Sequence, residues 1–268
     1  MNPTVQAFFD PATHTITYLV SDAATGAAAI IDPVLDYDPE TGDAATVSAD
    51  AVVELARAQG LKIVWLLETH AHADHLSAAD YLRSRTGAPI GVGSRVVETQ
   101  RTFAEKFGME TPPPTVFDRL FADGERFALG EMEVAVMHTP GHTPACVSYH
   151  VGDAVFVGDT LFMPDFGTAR ADFPGGDAVT LYRSIQRILA LPPETRVFVG
   201  HDYLPEGGRT GFRWETTVAA ERAENIHVGG RTTEAEFVAM RQARDATLPP
   251  PRLLTPSLKA NIRAGATG

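Results

Sequence analysis

Ile63-Val64-Trp65-Leu66-Leu67-Glu68-Thr69-His70-Ala71-His72-Ala73-Asp74-His75 is the stretch on which the fold turns. It opens as an apolar run rich in β-branched and aromatic residues, and Leu61–Leu67 reads as a buried strand. It closes as H-x-H-x-D-H. Three imidazoles and a carboxylate in so short a run pack badly, because each costs free energy when buried unpaired. Imidazole is the commonest protein metal ligand, and a carboxylate adds the charge that a divalent cation needs. The run therefore reads as half of a metal site at a strand exit.

The other half must come from elsewhere, since no hexapeptide encircles a metal. Three later segments repeat the same grammar of short apolar run, nearby Gly and metal-competent side chain. They are Thr139-Pro140-Gly141-His142, Val157-Gly158-Asp159-Thr160 and Val199-Gly200-His201-Asp202. Gly permits the sharp turn that aims such a side chain across a strand end. The candidate ligands are thus His70, His72, Asp74, His75, His142, Asp159 and His201. Their convergence at strand ends is where α/β folds bind ligands.

Working outward, Thr15–Val20 and Ala27–Ile31 flank Gly26 and read as a hairpin. Ala49–Gln59 reads as a helix capped by Ser48 and stopped by Gly60. A helix over Leu76–Arg85 is predicted directly after the histidine motif, then a strand at Ile90–Val92 and a helix over Val96–Phe107. Pro112–Pro114 forms a stiff connector. Strands follow between Val116 and Val157, then a helix over Ala178–Leu189 capped by Asp177 and a strand at Arg196–Val199. Thr216–Ala246 reads as two helices broken at Gly229-Gly230.

The ligand set, in this order, resembles the metallo-β-lactamase superfamily. Within it, Gly158-Asp159-Thr160-Leu161-Phe162 is similar to thioester hydrolases and persulfide dioxygenases alike. The stretch Gly167–Gly176, with Arg170-Ala171-Asp172-Phe173, resembles the G-R-x-D-F motif of the persulfide dioxygenases. Thr180–Ile185, His201-Asp202-Tyr203 and Pro256–Gly265 are similar to that family too, so the resemblance covers nearly the whole chain. The loop from Asp36 to Ser48 and the segment between Asp159 and Arg170 are longer than usual there.

The resemblance implies a four-layer αββα sandwich, where periodicity alone implies only α/β. It implies one domain over residues 1–268 with a short helical extension from about 205. It also implies Fe(II), one per chain, on His70, His142 and Asp159, with the remaining four candidates as outer or latent ligands. The expected reaction is oxidation of glutathione persulfide by O₂ to sulfite and glutathione. Arg170 is then expected to pair a glutathione carboxylate, Asp172 to orient Arg170 or its loop, and Tyr203 to donate a hydrogen bond near the metal. Spacing alone leaves a second mode open, in which one or two Zn(II) ions serve a glyoxalase II-type hydrolase of glutathione thioesters. A non-catalytic metal-binding protein on the same fold is the third reading, and the complete ligand set argues against it.

Composition narrows the partners. With 22 basic against 34 acidic residues the net charge is −12, which opposes nucleic-acid and anionic-membrane binding. An anionic substrate must then meet local arginines. The one cysteine, Cys146, permits no intramolecular disulfide and reads as a packed core thiol. No secretory segment or membrane span is evident, so the cytoplasm is the expected compartment, and a homodimer is left open. His138, next to the His142 turn, reads as a strand residue, and His14, His150 and His227 lack a ligand-like setting and read as structural or exposed.

Overall fold

Gly26, at φ +72°, turns the chain between two apolar strands, and this hairpin starts the first of two six-stranded sheets. The computed structural model describes residues 1–267. Its first half runs β1 (Thr4–Asp10), β2 (Thr15–Ser21), β3 (Ala27–Ile31), β4 (Val34–Tyr37), β5 (Ala44–Ala45), α1 (Val47–Ala58) and β6 (Lys62–Leu67). It continues with β7 (Leu76–Ser77), α2 (Ala79–Thr86), β8 (Ile90–Gly93), α3 (Val96–Phe107) and β9 (Arg119–Phe121). The second half runs β10 (Arg126–Leu129), β11 (Met132–His138), β12 (Val147–Val151), β13 (Ala154–Phe156), α4 (Ala178–Leu189) and β14 (Arg196–Phe198). Then come β15 (Glu215–Thr217), α5 (Val218–Glu224), α6 (Glu234–Asp245) and α7 (Leu254–Asn261).

The first sheet has the order β1-β2-β3-β6-β8-β9, and the second β10-β11-β12-β13-β14-β15. Strand alternation sends side chains to both faces of each sheet. Ile16, Tyr18 and Val20 of β2 meet Val134, Val136, Tyr149 and Phe156 between the sheets. The opposite face of β2, β3 and β6, with Leu19, Ile30 and Leu66, packs under α1 and α2. On the far side, Val155 and Val197 pack against Leu181 and Ile185 of α4 and Phe237 of α6. Burying each such aliphatic side chain contributes roughly 1.5–3 kcal/mol. The layers are therefore helix, sheet, sheet, helix, as expected.

Local structure differs from the sequence reading in several places, one of them strand β1, which that reading did not include. Ser48 lies inside α1 and does not cap it; its Oγ donates to Asp36 Oδ1 at 2.5 Å instead. The helix after the histidine motif begins only at Ala79, because Leu76-Ser77 is drawn into β7 against β4. The long 36–48 loop contains β5, which pairs with β4. The expected helical extension also supplies β15, an edge strand on β14. Asp177 caps α4 as expected, accepting from Thr180 N at 2.7 Å. Among the described residues, no helix is long and apolar enough to cross a membrane. Cys146 is buried, and burial pushes its thiol up to about 12.

Candidate metal centre

Four strands, β6, β11, β13 and β14, end at one rim, and the loops after them carry the candidate ligands. Two glycines let those loops close up. Gly141 has φ +136°, and a Cβ there would overlap the backbone of Leu181. Gly200 packs so tightly that a Cβ would sit 2.8 Å from Asp159 Oδ1. Neighbouring His142 and His201 are thereby pressed towards Asp159.

The structure gathers the candidates into two clusters. His70, His142 and Asp159 form one, and His72, Asp74 and His201 the other; within each, one ligand atom per residue lies within 4.8 Å of the others. Asp159 joins them: its Oδ2 is 3.6 Å from His142 Nε2 and 4.0 Å from His70 Nε2, and its Oδ1 is 3.3 Å from His201 Nε2. His201 Nε2 also lies 3.1 Å from Asp74 Oδ2. His75 stands beside the second cluster, with its ring 4.1 Å from that of His72 and 6.0 Å from that of His201.

The donor atoms test whether a metal fits. His70 Nε2, His72 Nδ1, both nitrogens of His75, His201 Nε2, Asp74 Oδ2 and Asp159 Oδ1 are buried without hydrogen-bond partners. Buried polar atoms are normally paired, and so many unpaired donors converging in one place fit a bound cation. Imidazole nitrogens and carboxylate oxygens are donors that suit Fe(II) or Zn(II). The outer ring atoms are anchored. Thr69 Oγ1 donates to Asp32 Oδ2 at 2.8 Å, so it accepts from His70 Nδ1 at 3.0 Å and leaves Nε2 bare. The carbonyl of Arg170 accepts from His142 Nδ1 at 2.9 Å. His72 Nε2 donates to Asp32 Oδ1 at 3.1 Å and Glu68 Oε2 at 3.2 Å. Such outer partners fix the tautomer and orientation of metal-binding imidazoles.

Sequence reading missed Asp32, Glu68 and Asn261. Asp32 follows the apolar run Ala27–Ile31 as the ligands follow theirs, and that signal was available. It holds a positive φ of 50°, and accepts from Thr69 N at 2.7 Å. Glu68 accepts from Ser77 Oγ. Asn261, from α7, donates to the carbonyls of both His72 and His75 at 2.8 Å and accepts from Ser77 N at 2.8 Å.

Protonation follows from burial and neighbours. Burial, then the adjacent imidazoles His72, His142 and His201, hold His70 well below the ordinary histidine range. Burial and His72 lower His75 to about 3. Both rings are thus neutral and ready as ligands. Burial opposes ionisation of Asp74, but His201, His75 and His72 outweigh it and bring the carboxyl down to about 2. Burial likewise opposes a charge on His201, and Asp159 and Asp74 overcome it and raise its pKa.

A cavity of about 430 Å³ opens over Asp74, His142 and Asp159. Arg170 and Tyr203 both line it. Arg170 is engaged within the protein: Nε and Nη2 donate to the two oxygens of Asp172 at 2.6 and 2.7 Å, and Nη1 donates to Pro249 O at 2.7 Å. Asp172 thus orients Arg170 directly. Tyr203 stacks on His201 with ring centres 5.7 Å apart, and no hydrogen bond from its hydroxyl is formed among the described residues. His227, read as structural, does hold the loop beside the site: its Nδ1 accepts from Thr168 N at 3.0 Å. A second cavity, of about 520 Å³, adjoins the first through Ala12, Thr13, Tyr37 and Leu253 and is walled by the 36–45 loop.

Comparison with known proteins agrees with this geometry. The model of the metallo-beta-lactamase superfamily matches residues 12–201. The chain is 51% identical over 98% of its length to a beta-lactamase hydrolase-like protein of Agrobacterium fabrum, of whose length it spans 61%. It is 45% identical to glyoxylase B2 of Dictyostelium discoideum, over 97% of this chain and 90% of that one. It is 31% identical to the mitochondrial persulfide dioxygenase ETHE1 of Homo sapiens, over 97% of this chain and 88% of that one. Among solved structures, ETHE1 from Myxococcus xanthus superposes with a TM-score of 0.78 at 31% identity, covering 98% of this chain and all of that one. With this ligand geometry on this fold, the chain belongs to the metallo-beta-lactamase superfamily.

Proposed function

We propose that the protein is an iron-dependent persulfide dioxygenase that oxidises glutathione persulfide with O₂ and water to sulfite and glutathione. The observation that carries this reading is the triad His70, His142 and Asp159, two imidazoles and one carboxylate around a common point. That composition holds Fe(II) and leaves open positions for dioxygen and substrate. When bound, iron supplies the redox chemistry that no side chain here offers. The chain's own residues do the rest: Thr69 and the Arg170 carbonyl orient His70 and His142, and Phe162, Tyr203 and Phe173 wall the cavity against water. The similarity to persulfide dioxygenases along 97% of the chain supports the same assignment.

The cluster His72, Asp74 and His201 favours a second reading, a dizinc hydrolase of glutathione thioesters, because it offers a second complete donor set. One experiment separates them. Anaerobically purified protein is analysed for metal, then supplied with glutathione persulfide in an oxygen electrode while sulfite is measured. One iron per chain with coupled O₂ loss and sulfite release is expected. Two zincs with fast thioester cleavage and no O₂ uptake by iron-loaded protein would assign the hydrolase instead.

A further inference from the structure

Four arginines line the cavity, and their states differ. Arg170 is neutralised by Asp172. Arg241 is 1% exposed and neutralised by Asp245 at 2.7 Å. Arg244 and Arg252 line the same cavity, are exposed, and have no acidic partner within ion-pair reach among the described residues. The charge of Arg244 is felt nearby, where it depresses His227 together with Arg241, after burial. Among the described residues, the only carboxylates lining this cavity are Asp74 and Asp159, beside the histidines. In a chain of net charge −12, the outer cavity is therefore a local patch of uncompensated positive charge.

The two arginines sit at the ends of one element. Arg244 lies in the last turn of α6, Arg252 just before α7, and Thr247–Pro251 spans the gap. That strap ends in Pro249-Pro250-Pro251, a stiff run. Arg170 holds it down, donating to the carbonyl of Pro249 at 2.7 Å and to that of Leu248 at 3.4 Å. The Arg170–Asp172 pair therefore acts as a positioning pair for the strap. A guanidinium already engaged by a carboxylate on one edge and a carbonyl on another has little left for a ligand.

We infer that Arg244 and Arg252, which flank this strap, bind the carboxylate end of an extended acidic thiol carrier whose sulfur reaches His142 and Asp159. The inference deepens the function proposed above and rests on it for the identity of the carrier. It moves anion recognition from Arg170 to the two unpaired arginines. Their forks suit carboxylates, and removing one charge-assisted contact costs about 10-fold in affinity or more.

The test is calorimetric titration of the metal-loaded protein with glutathione and with glutathione diethyl ester, which lacks both carboxylate charges. Wild type, Arg244→Ala, Arg252→Ala and the double variant are compared, each with its melting temperature; both side chains are exposed, so folding is preserved. Glutathione affinity is expected to fall about 10-fold in each single variant and further in the double, with ester affinity unchanged. The salt dependence of glutathione binding should flatten in parallel, and Arg244→Lys should recover part of the loss. Unchanged glutathione affinity in the double variant overturns the inference, as does equal loss for acid and ester, or wild type that binds the two alike. Titration involves no turnover, so it separates the two claims. Wild type that takes up no O₂, with variants that still lose glutathione affinity, keeps this anion site and removes the dioxygenase.

Discussion

Replacing Asp245 with Asn should destabilise the fold and weaken the metal site together. Arg241 is the largest fully buried side chain, 1% exposed, and Asp245 receives its Nε and Nη2 at 2.8 and 2.7 Å. Asn keeps the shape and removes the charge. A buried ion left without its partner costs about 3–5 kcal/mol, a large part of the ~5–15 kcal/mol that holds a typical domain together. Asp245 Oδ2 also accepts from Ala171 N at 2.9 Å, and Arg241 Nη1 donates to Thr168 O at 3.1 Å. Both contacts fasten the loop whose Arg170 carbonyl orients His142. Denaturant titration should therefore show a lower midpoint with an unchanged slope, and the folded variant should bind metal more weakly. The double variant Arg241→Met/Asp245→Leu removes both charges and leaves only the Ala171 N–H and Thr168 carbonyl to find water, about 1–3 kcal/mol each. It should thus be less damaged, by several kcal/mol, than Arg241→Met and Asp245→Leu summed. If the single changes simply add, or if Asp245→Asn costs under about 1 kcal/mol, the pair is not a coupled buried ion pair and the reasoning fails.

Three further outcomes are expected. His142→Ala and Asp159→Ala should lose metal by elemental analysis yet keep their far-ultraviolet circular dichroism, since both side chains sit on strand-end loops; His201→Ala should retain one iron, and its complete loss of metal would point to a two-metal centre. Burial raises Glu221 from 4.5 to about 8, so the folded state holds a proton that the unfolded state releases, and its stabilising effect, present below pH 4.5, is lost as pH rises towards 8. Glu221→Gln should flatten that decline, at about 1.4 kcal/mol per pKa unit, and melts of both proteins that fall in parallel between pH 5 and 8 would contradict it. Gly141→Ala should cost at least about 1–3 kcal/mol for backbone strain, and its overlap with Leu181 should displace His142, read as lost metal affinity; a variant with wild-type stability would show that the turn relaxes freely.

The candidate ligands were legible because each ligand-bearing segment follows an apolar strand, and in three of the four segments a Gly stands beside the ligand. The residues that support the ligands were harder to see, for differing reasons. Asp32 has the same strand-then-acid pattern as Asp159 but lies between Ile31 and Pro33, without the Gly that marks the other segments. Asn261 gains its meaning from a partner 189 residues away, and local pattern carries no such information; Glu68 bonds His72 only four residues on, but in a strand-to-loop turn whose geometry no sequence period announces. The same limit explains Arg170: its motif marked it as a site residue, but only the folded loop shows its fork committed to Asp172 and Pro249. Strand β1 escaped because each of its residues after Thr4 is half-buried, which blurs the alternation that identifies a strand. Helix α2 started late because pairing of Leu76-Ser77 with β4 overrode helical propensity.

Asn261 has a consequence for how the protein is made. Its amide binds the carbonyls on either side of Asp74, so the turn that carries the histidines is buttoned by a residue from α7. A ribosome delivers residues 70–75 long before residue 261. During most of translation the histidine motif is therefore exposed as an unfastened loop, with its imidazoles free to take whichever cation the surroundings offer. Discrimination between metals is postponed until the last helix docks, and a product interrupted before α7 would carry every ligand and still lack the clasp that sets their geometry.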